Sequence, residues 1–214
     1  MPDRPSFPGY DTLAKRDTPS WNAATREAID LRLAAPREPR FFSPEEWACA
    51  DALCQRILPG RVEPPLVALL DAALCKGDGD GTRTDRVPYL REAWRSGLAA
   101  IDRSATDRHG SRFTELAPQQ QDDLLASIQR DTAALAAIWG DLDPAQFFAR
   151  RVLADIPALF YALPQAWDEI GFGGPASPRG YVRLDLGHRD PWEAAETGPD
   201  GDHAAAEQKN RHVV

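Results

Sequence analysis

The sequence predicts an all-α fold, a single helical domain of about six to seven helices with a Gly/Pro/aromatic loop near its C-terminus. Three observations predict it. Apolar residues recur at spacings of three and four wherever they run for longer than a turn. Proline stands behind a capping residue where helices begin, in Ser43-Pro44 and Asp143-Pro144. The composition favours Ala, Leu and Arg over β-branched residues, and of the 214 residues 43% are hydrophobic, enough for a sizeable core.

Residues 1 to 18 are rich in Pro, Gly and charge and read as an extended arm, with Phe7, Tyr10 and Leu13 as anchors that a solvated tail would not need. The helical domain is expected over 19 to 193. Its first helix runs from about Ser20 to Ala34, with Thr18 or Ser20 as cap and Trp21, Ala24, Ala28 and Leu31 on its apolar face. Pro36 and Pro39 stop it.

Ser43-Pro44-Glu45-Glu46 is the clearest start signal. The hydroxyl caps, the proline suits the first turn, and Glu46 completes a capping box. A helix from Pro44 to Leu58 follows, with Trp47, Ala50, Leu53, Cys54 and Ile57 inward and Pro59-Gly60 at its end. Pro64-Pro65 opens a shorter helix from Leu66 to Cys75 that is apolar on most sides and therefore central. The loop behind it holds Asp78, Asp80 and Asp85 among glycines, but it fits neither an EF-hand nor a phosphate loop, because the Glu and the Gly-Lys-Ser/Thr are missing.

The next helix, Tyr89 to Asp107, is amphipathic, with Leu90, Ala93, Trp94, Leu98, Ile101 and Ala105 on one side. His109-Gly110 reads as its C-terminal partner and stop. Pro118 to Arg130 follows, with Leu124, Leu125 and Ile128 inward. Trp139-Gly140 makes a break, and Asp143-Pro144 opens the last long helix, Ala145 to Tyr161, which Pro157 is expected to kink or split. Residues 194 to 214 are polar and without period and read as a disordered tail.

The charge balance, 25 Lys and Arg against 33 Asp and Glu, gives a net charge of −8 and argues against binding nucleic acid through its phosphates. Cys49, Cys54 and Cys75 are an odd set without metal-site spacing and read as buried free thiols. The four histidines, His109, His188, His203 and His212, fall in a turn, a loop and the tail, and none sits in a catalytic motif. No G-x-S-x-G, H-E-x-x-H or G-x-G-x-x-G occurs. Asp168-Glu169 are helix neighbours that point apart, which suits a solvated face better than an acid/base pair. The expectation is therefore no catalytic, cofactor-binding or metal-ligating residue in this chain.

The stretch that organises the chain is Phe160 to Glu193, whose composition serves neither helix nor strand. Gly171, Gly173, Gly174 and Gly180 open backbone angles closed to other residues, while Pro175, Pro178 and Pro191 fix φ, so together they specify one irregular path. Trp167, Ile170, Phe172, Tyr181 and Trp192 are interleaved with them. Side chains of this size need burial, either in the chain's own core or on a partner.

Within this stretch, AWDEIGFGGPASPRGY resembles the gluconate 2-dehydrogenase subunit 3 family, as does FFSPEEWACADALCQRILP upstream, and the similarity runs from roughly Phe41 to Glu193. The resemblance implies a small non-catalytic subunit that binds, stabilises or helps mature a flavin-dependent dehydrogenase of the glucose-methanol-choline type. It also implies that FAD belongs to that large subunit, with or without a cytochrome c subunit in the complex, and that the substrate is a sugar, sugar acid or other alcohol. The interface it suggests is Trp167, Ile170, Gly171, Phe172, Gly173, Gly174, Pro175, Arg179, Tyr181 and Trp192, with Trp192 as a rim anchor. Family members commonly carry a twin-arginine export signal. The N-terminal stretch here has neither a twin arginine nor an apolar run, so a cytoplasmic setting is expected, or a periplasmic one if a partner's signal carries the chain. The alternative is a free-standing helical enzyme or ligand-binding protein with a pocket near Trp139, Phe148 and Trp167, joined by His188 and Asp190.

Overall fold

The computed structural model describes residues 6–60, 62–77, 87–130, 132–180, 190, 192–197 and 202–212. Among these the fold is helical, and the all-α expectation holds: there is no strand, only an isolated parallel bridge between Trp21 and Ser177. The helices are α1 (Ala23–Leu33), α2 (Pro44–Ile57), α3 (Leu66–Lys76), α4 (Leu90–His109), α5 (Pro118–Arg130), α6 (Thr132–Trp139), α7 (Pro144–Phe147), α8 (Leu153–Phe160), α9 (Pro164–Ile170) and α10 (His203–Asn210). A π-helical turn, Phe148–Val152, joins α7 to α8. Counting that joined rod once, the described residues form nine helices, close to the six to seven expected from the sequence.

The chain divides into two compact units. One comprises Ala35–Leu159, and the other is formed by both ends of the chain, Met1–Ala34 with Phe160–Val214. The sequence suggested a single domain over 19 to 193 with tails beyond it. Within the terminal unit both ends of the chain meet, where Asn210 donates to the carbonyls of Pro8 and Ala195 at 2.8 and 3.0 Å and accepts from Ala195 N at 2.6 Å.

In the central unit α2 forms as its sequence dictates: Ser43 Oγ accepts from Glu46 N, Glu46 returns the bond to Ser43 N, and Pro44 occupies the first turn. The loop ahead of it is held by buried Asp71 of α3, whose carboxylate accepts from the backbone N–H groups of Arg40, Phe41 and Phe42 at 2.9, 3.0 and 2.8 Å. Such a carboxylate is buried at little cost because three donors replace its water. The core is aromatic: Trp94 and Phe147 meet edge to face at 5.6 Å, and Trp139 meets Phe147 at 5.7 Å. Both indole N–H groups of this cluster find an acceptor, Trp94 on Asp155 at 2.8 Å and Trp139 on Ser104 at 3.0 Å. Gly97 lets α4 approach this cluster, for a Cβ there would fall inside the Phe147 ring.

Several expectations are corrected. The first helix begins at Ala23, capped by Asn22 rather than Thr18 or Ser20, since Asn22 Oδ1 accepts from Thr25 N at 2.8 Å. Its buried face is Ile29 rather than Leu31, which is exposed, because Trp21 lies outside the helix and does not set its phase. Pro157 does not split its helix; it stands inside α8, and the irregularity is the π turn that directly precedes that helix. Residues 194 to 214 are not structureless throughout, because Asp202 caps α10 by accepting from Ala204 N and Ala205 N. Cys49 and Cys54 are free and buried as expected, whereas Cys75 is exposed. Asp78, Asp80 and Asp85 lie outside the described residues.

No helix among the described residues is long and apolar enough to cross a membrane.

Candidate functional site

The candidate site is built on α9 and the turn behind it, in the terminal unit. Pro164 suits the first turn of α9, whose missing N–H needs no partner, and Gly171 ends it with φ +67°. Both the Gly171 and the Phe172 N–H donate to the Trp167 carbonyl, the latter at 2.9 Å, so the chain reverses tightly there. A Cβ on Gly171 would overlap the ring of Phe7, which packs against this turn. The stretch read as loop from Phe160 onward thus contains a short helix, and its first glycine is a helix stop.

Trp167 is 5% exposed and belongs to a cluster with Trp21, Ile29 and Leu33. Its indole N–H donates to the Tyr161 carbonyl at 2.7 Å, and its ring meets Phe172 edge to face at 5.9 Å. Phe172 itself is 43% exposed and Ile170 is 50% exposed. The same turn therefore has a buried side fixed by Trp167 and an exposed side carrying two large apolar groups. Gly173 and Gly174 are buried and Pro175 is half-buried.

The N-terminal segment supplies the clasp. Asp168 of α9 accepts from Thr12 N at 2.7 Å and from Thr12 Oγ1 at 2.6 Å. Lys15, with 0% exposure, donates from Nζ to Tyr10 Oη at 2.6 Å, to the Gly173 carbonyl at 3.1 Å and to the Trp192 carbonyl at 2.6 Å. Tyr10 Oη in turn donates to the Trp192 carbonyl at 3.2 Å. One ammonium joins three pieces of chain. Burial, assisted by the Arg179 guanidinium, brings Lys15 down to about 8, with Asp168 and Glu193 opposing. Burial also pushes the Tyr10 phenol and the Asp168 carboxyl up, the latter against the Thr12 bonds that favour its charge.

Trp192 is half-buried against Tyr10 and Ala194, with the Arg179 guanidinium stacked 3.8 Å over its ring, and Arg179 also donates to Ser20 Oγ. Tyr181 and His188 lie outside the described residues. Of the alternative pocket, Trp139 and Phe148 are buried in the central unit while Trp167 belongs to the terminal one. Asp168 is committed to Thr12 rather than to a solvated face. The sequence did not single out Lys15 or Thr12. Phe7 and Tyr10, aromatic anchors in a polar arm, were the signal that the arm packs on something.

The match of the family model for gluconate 2-dehydrogenase subunit 3 runs over residues 44–174, from the capped proline of α2 to the end of the glycine turn. The chain belongs to the gluconate 2-dehydrogenase subunit 3 family. The matched segment of this subunit 3 member takes in α2 to α9 and includes the turn that carries Phe172. No curated protein and no solved structure matches the chain.

Proposed function

We propose that this subunit 3 family member is a non-catalytic small subunit that binds and stabilises a flavin-dependent dehydrogenase of the glucose-methanol-choline type. In this reading FAD and the oxidation of a sugar, sugar acid or other alcohol belong to the large subunit, with or without a cytochrome c subunit as electron acceptor. Family membership supports the dehydrogenase partner. The observation that carries the docking role is the two-sided turn at Ile170–Phe172, apolar and exposed on one side and clamped on the other by Trp167, Gly171 and Lys15.

The physical logic is preorganisation. A surface held by its own core before binding loses little conformational entropy on docking, so the exposed Ile170 and Phe172 convert more of their burial into affinity. Pro175, Arg179 and Trp192 extend the same surface as its polar and aromatic margin, in keeping with the enrichment of Arg and aromatic side chains at interfaces.

The test is co-purification from the native host with a tag on this chain only. The expected result is a large subunit recovered in stoichiometric amount, with a flavin absorption spectrum in the complex and none in the tagged chain purified alone. Flavin bound by the isolated chain, or recovery of no flavoprotein, contradicts the proposal.

A further inference from the structure

The central unit carries a second feature, remote in sequence from the turn, that the proposed function does not use. A cleft of about 580 Å³ is lined by Arg40, Phe41, Arg91, Glu92, Arg95 and Ser96. Three guanidiniums converge there in a protein whose net charge is −8. Arg91 and Arg95 are one helical turn apart on α4, an arrangement of like charges that an isolated helix disfavours. Among the described residues no carboxylate pairs with Arg40 or Arg91, and the nearest carboxylate to Arg95 is Glu46 at 4.0 Å, already engaged in the capping box.

The two helical arginines are held in place by neutral groups instead. Arg91 donates from Nε to the Leu74 carbonyl at 2.7 Å and from Nη2 to the Cys75 carbonyl at 3.0 Å. Arg95 donates from Nη2 to the Phe41 carbonyl at 2.8 Å. The Phe41 ring lies against both, 5.2 Å from the Arg91 guanidinium and 4.4 Å from that of Arg95. Carbonyls and a ring face orient a guanidinium without neutralising it, and each of the two keeps its Nη1 donors uncommitted. Arg40 adds a third guanidinium with no structural duty, since only its backbone N–H is used, on Asp71.

We infer that this cleft binds a small multiply charged oxyanion, through Arg40, Arg91 and Arg95, with the Ser96 hydroxyl as a further donor. Planar guanidinium forks match carboxylate and phosphoryl oxygens, and two or more negative charges are needed to satisfy three cations of which none is paired at close range. Glu92 also lines the cleft and opposes an anion there, so the ligand must carry enough negative charge to outweigh it.

The experiment is calorimetric titration of the whole chain with inorganic phosphate and, separately, with citrate, at constant ionic strength in a low-chloride buffer. Arg40→Gln is the informative variant, because that side chain supports nothing else, and Arg95→Gln is its companion; Arg103→Gln, in a different cleft, is the control. Saturable binding that weakens by about tenfold in each of the first two variants and not in the control is the expected result. Phosphate binding alone assigns a phosphoryl ligand, citrate binding alone a polycarboxylate, and binding of both an oxyanion site without that preference. Absence of saturable binding by either anion overturns the inference, as does equal affinity in Arg40→Gln and wild type.

Discussion

Lys15 Nζ donates to the Gly173 carbonyl at 3.1 Å, so an N-terminal lysine is the fastening of a C-terminal turn 158 residues away. That ammonium is buried among neutral acceptors, and its ordinary value of 10.5 falls to about 8 in the folded chain. A base whose affinity for the proton is lower when folded penalises the folded state while charged. The penalty is present in full below about pH 8 and fades as pH rises towards 10.5. Buried Cys49, Cys54 and Tyr10, all pushed up by burial, act in the opposite direction at alkaline pH. Lys15→Met removes the lysine's own contribution while the alkaline penalty of the two cysteines stays common to both proteins, so the difference in melting temperature between wild type and Lys15→Met should move in favour of wild type from pH 8 to pH 10. A difference that stays constant over that range contradicts the assignment.

Asp71 should be among the least replaceable side chains of the central unit. It accepts three backbone N–H groups at once, and Asn in its place offers one acceptor oxygen and two donors. Asp71→Asn is expected to cost ~2–3 kcal/mol by urea denaturation, the penalty of leaving buried donors unmatched. A loss below ~0.5 kcal/mol would show that the loop ahead of α2 is held by other contacts.

Gly97 sits in the interior of α4, where Ala is ordinarily the better residue by ~1 kcal/mol. A Cβ there meets the Phe147 ring at the centre of the aromatic cluster. Overpacking should win, and Gly97→Ala should destabilise by ~1–3 kcal/mol. An equal or higher melting temperature would mean that Phe147 has room to move.

Where the sequence held local signals, the structure follows them. Ser43-Pro44-Glu46 fixed the start of α2, and His109-Gly110 marked the end of α4, where Gly110 takes a left-handed conformation. Two of the missed helices had a physical reason. Thr132–Trp139 is apolar nearly all round, so no period marks α6. Pro164 and Gly171 bracket α9 as a start and a stop, but among so many breakers they read as loop. The clasp was not legible at all. A lysine in a Pro-rich arm looks like any solvated lysine, and only the closure of two distant chain segments places Lys15 on Gly173 and Trp192.

The aromatic residues of the turn separate into two expected behaviours. Trp167, buried beside Trp21 and Ile29, should cost ~3–5 kcal/mol of folding stability when cut to Ala. Trp192, half-buried with its carbonyl bound by Lys15 and Tyr10, should lose stability in its Ala variant as well, by less than Trp167, because the backbone acceptor survives. Calorimetric melting of the two variants checks the order, and a larger loss at Trp192 would reverse it.

The most direct measurement of the proposed docking role is the affinity of the proposed flavoprotein partner for Phe172→Ala and for Ile170→Ala/Phe172→Ala, each compared with its own melting temperature. Both side chains are about half exposed, so melting of the isolated subunit should fall far less than in Trp167→Ala while affinity falls by ~2 kcal/mol or more, roughly 30-fold. A double variant that binds the large subunit as tightly as wild type would contradict the account.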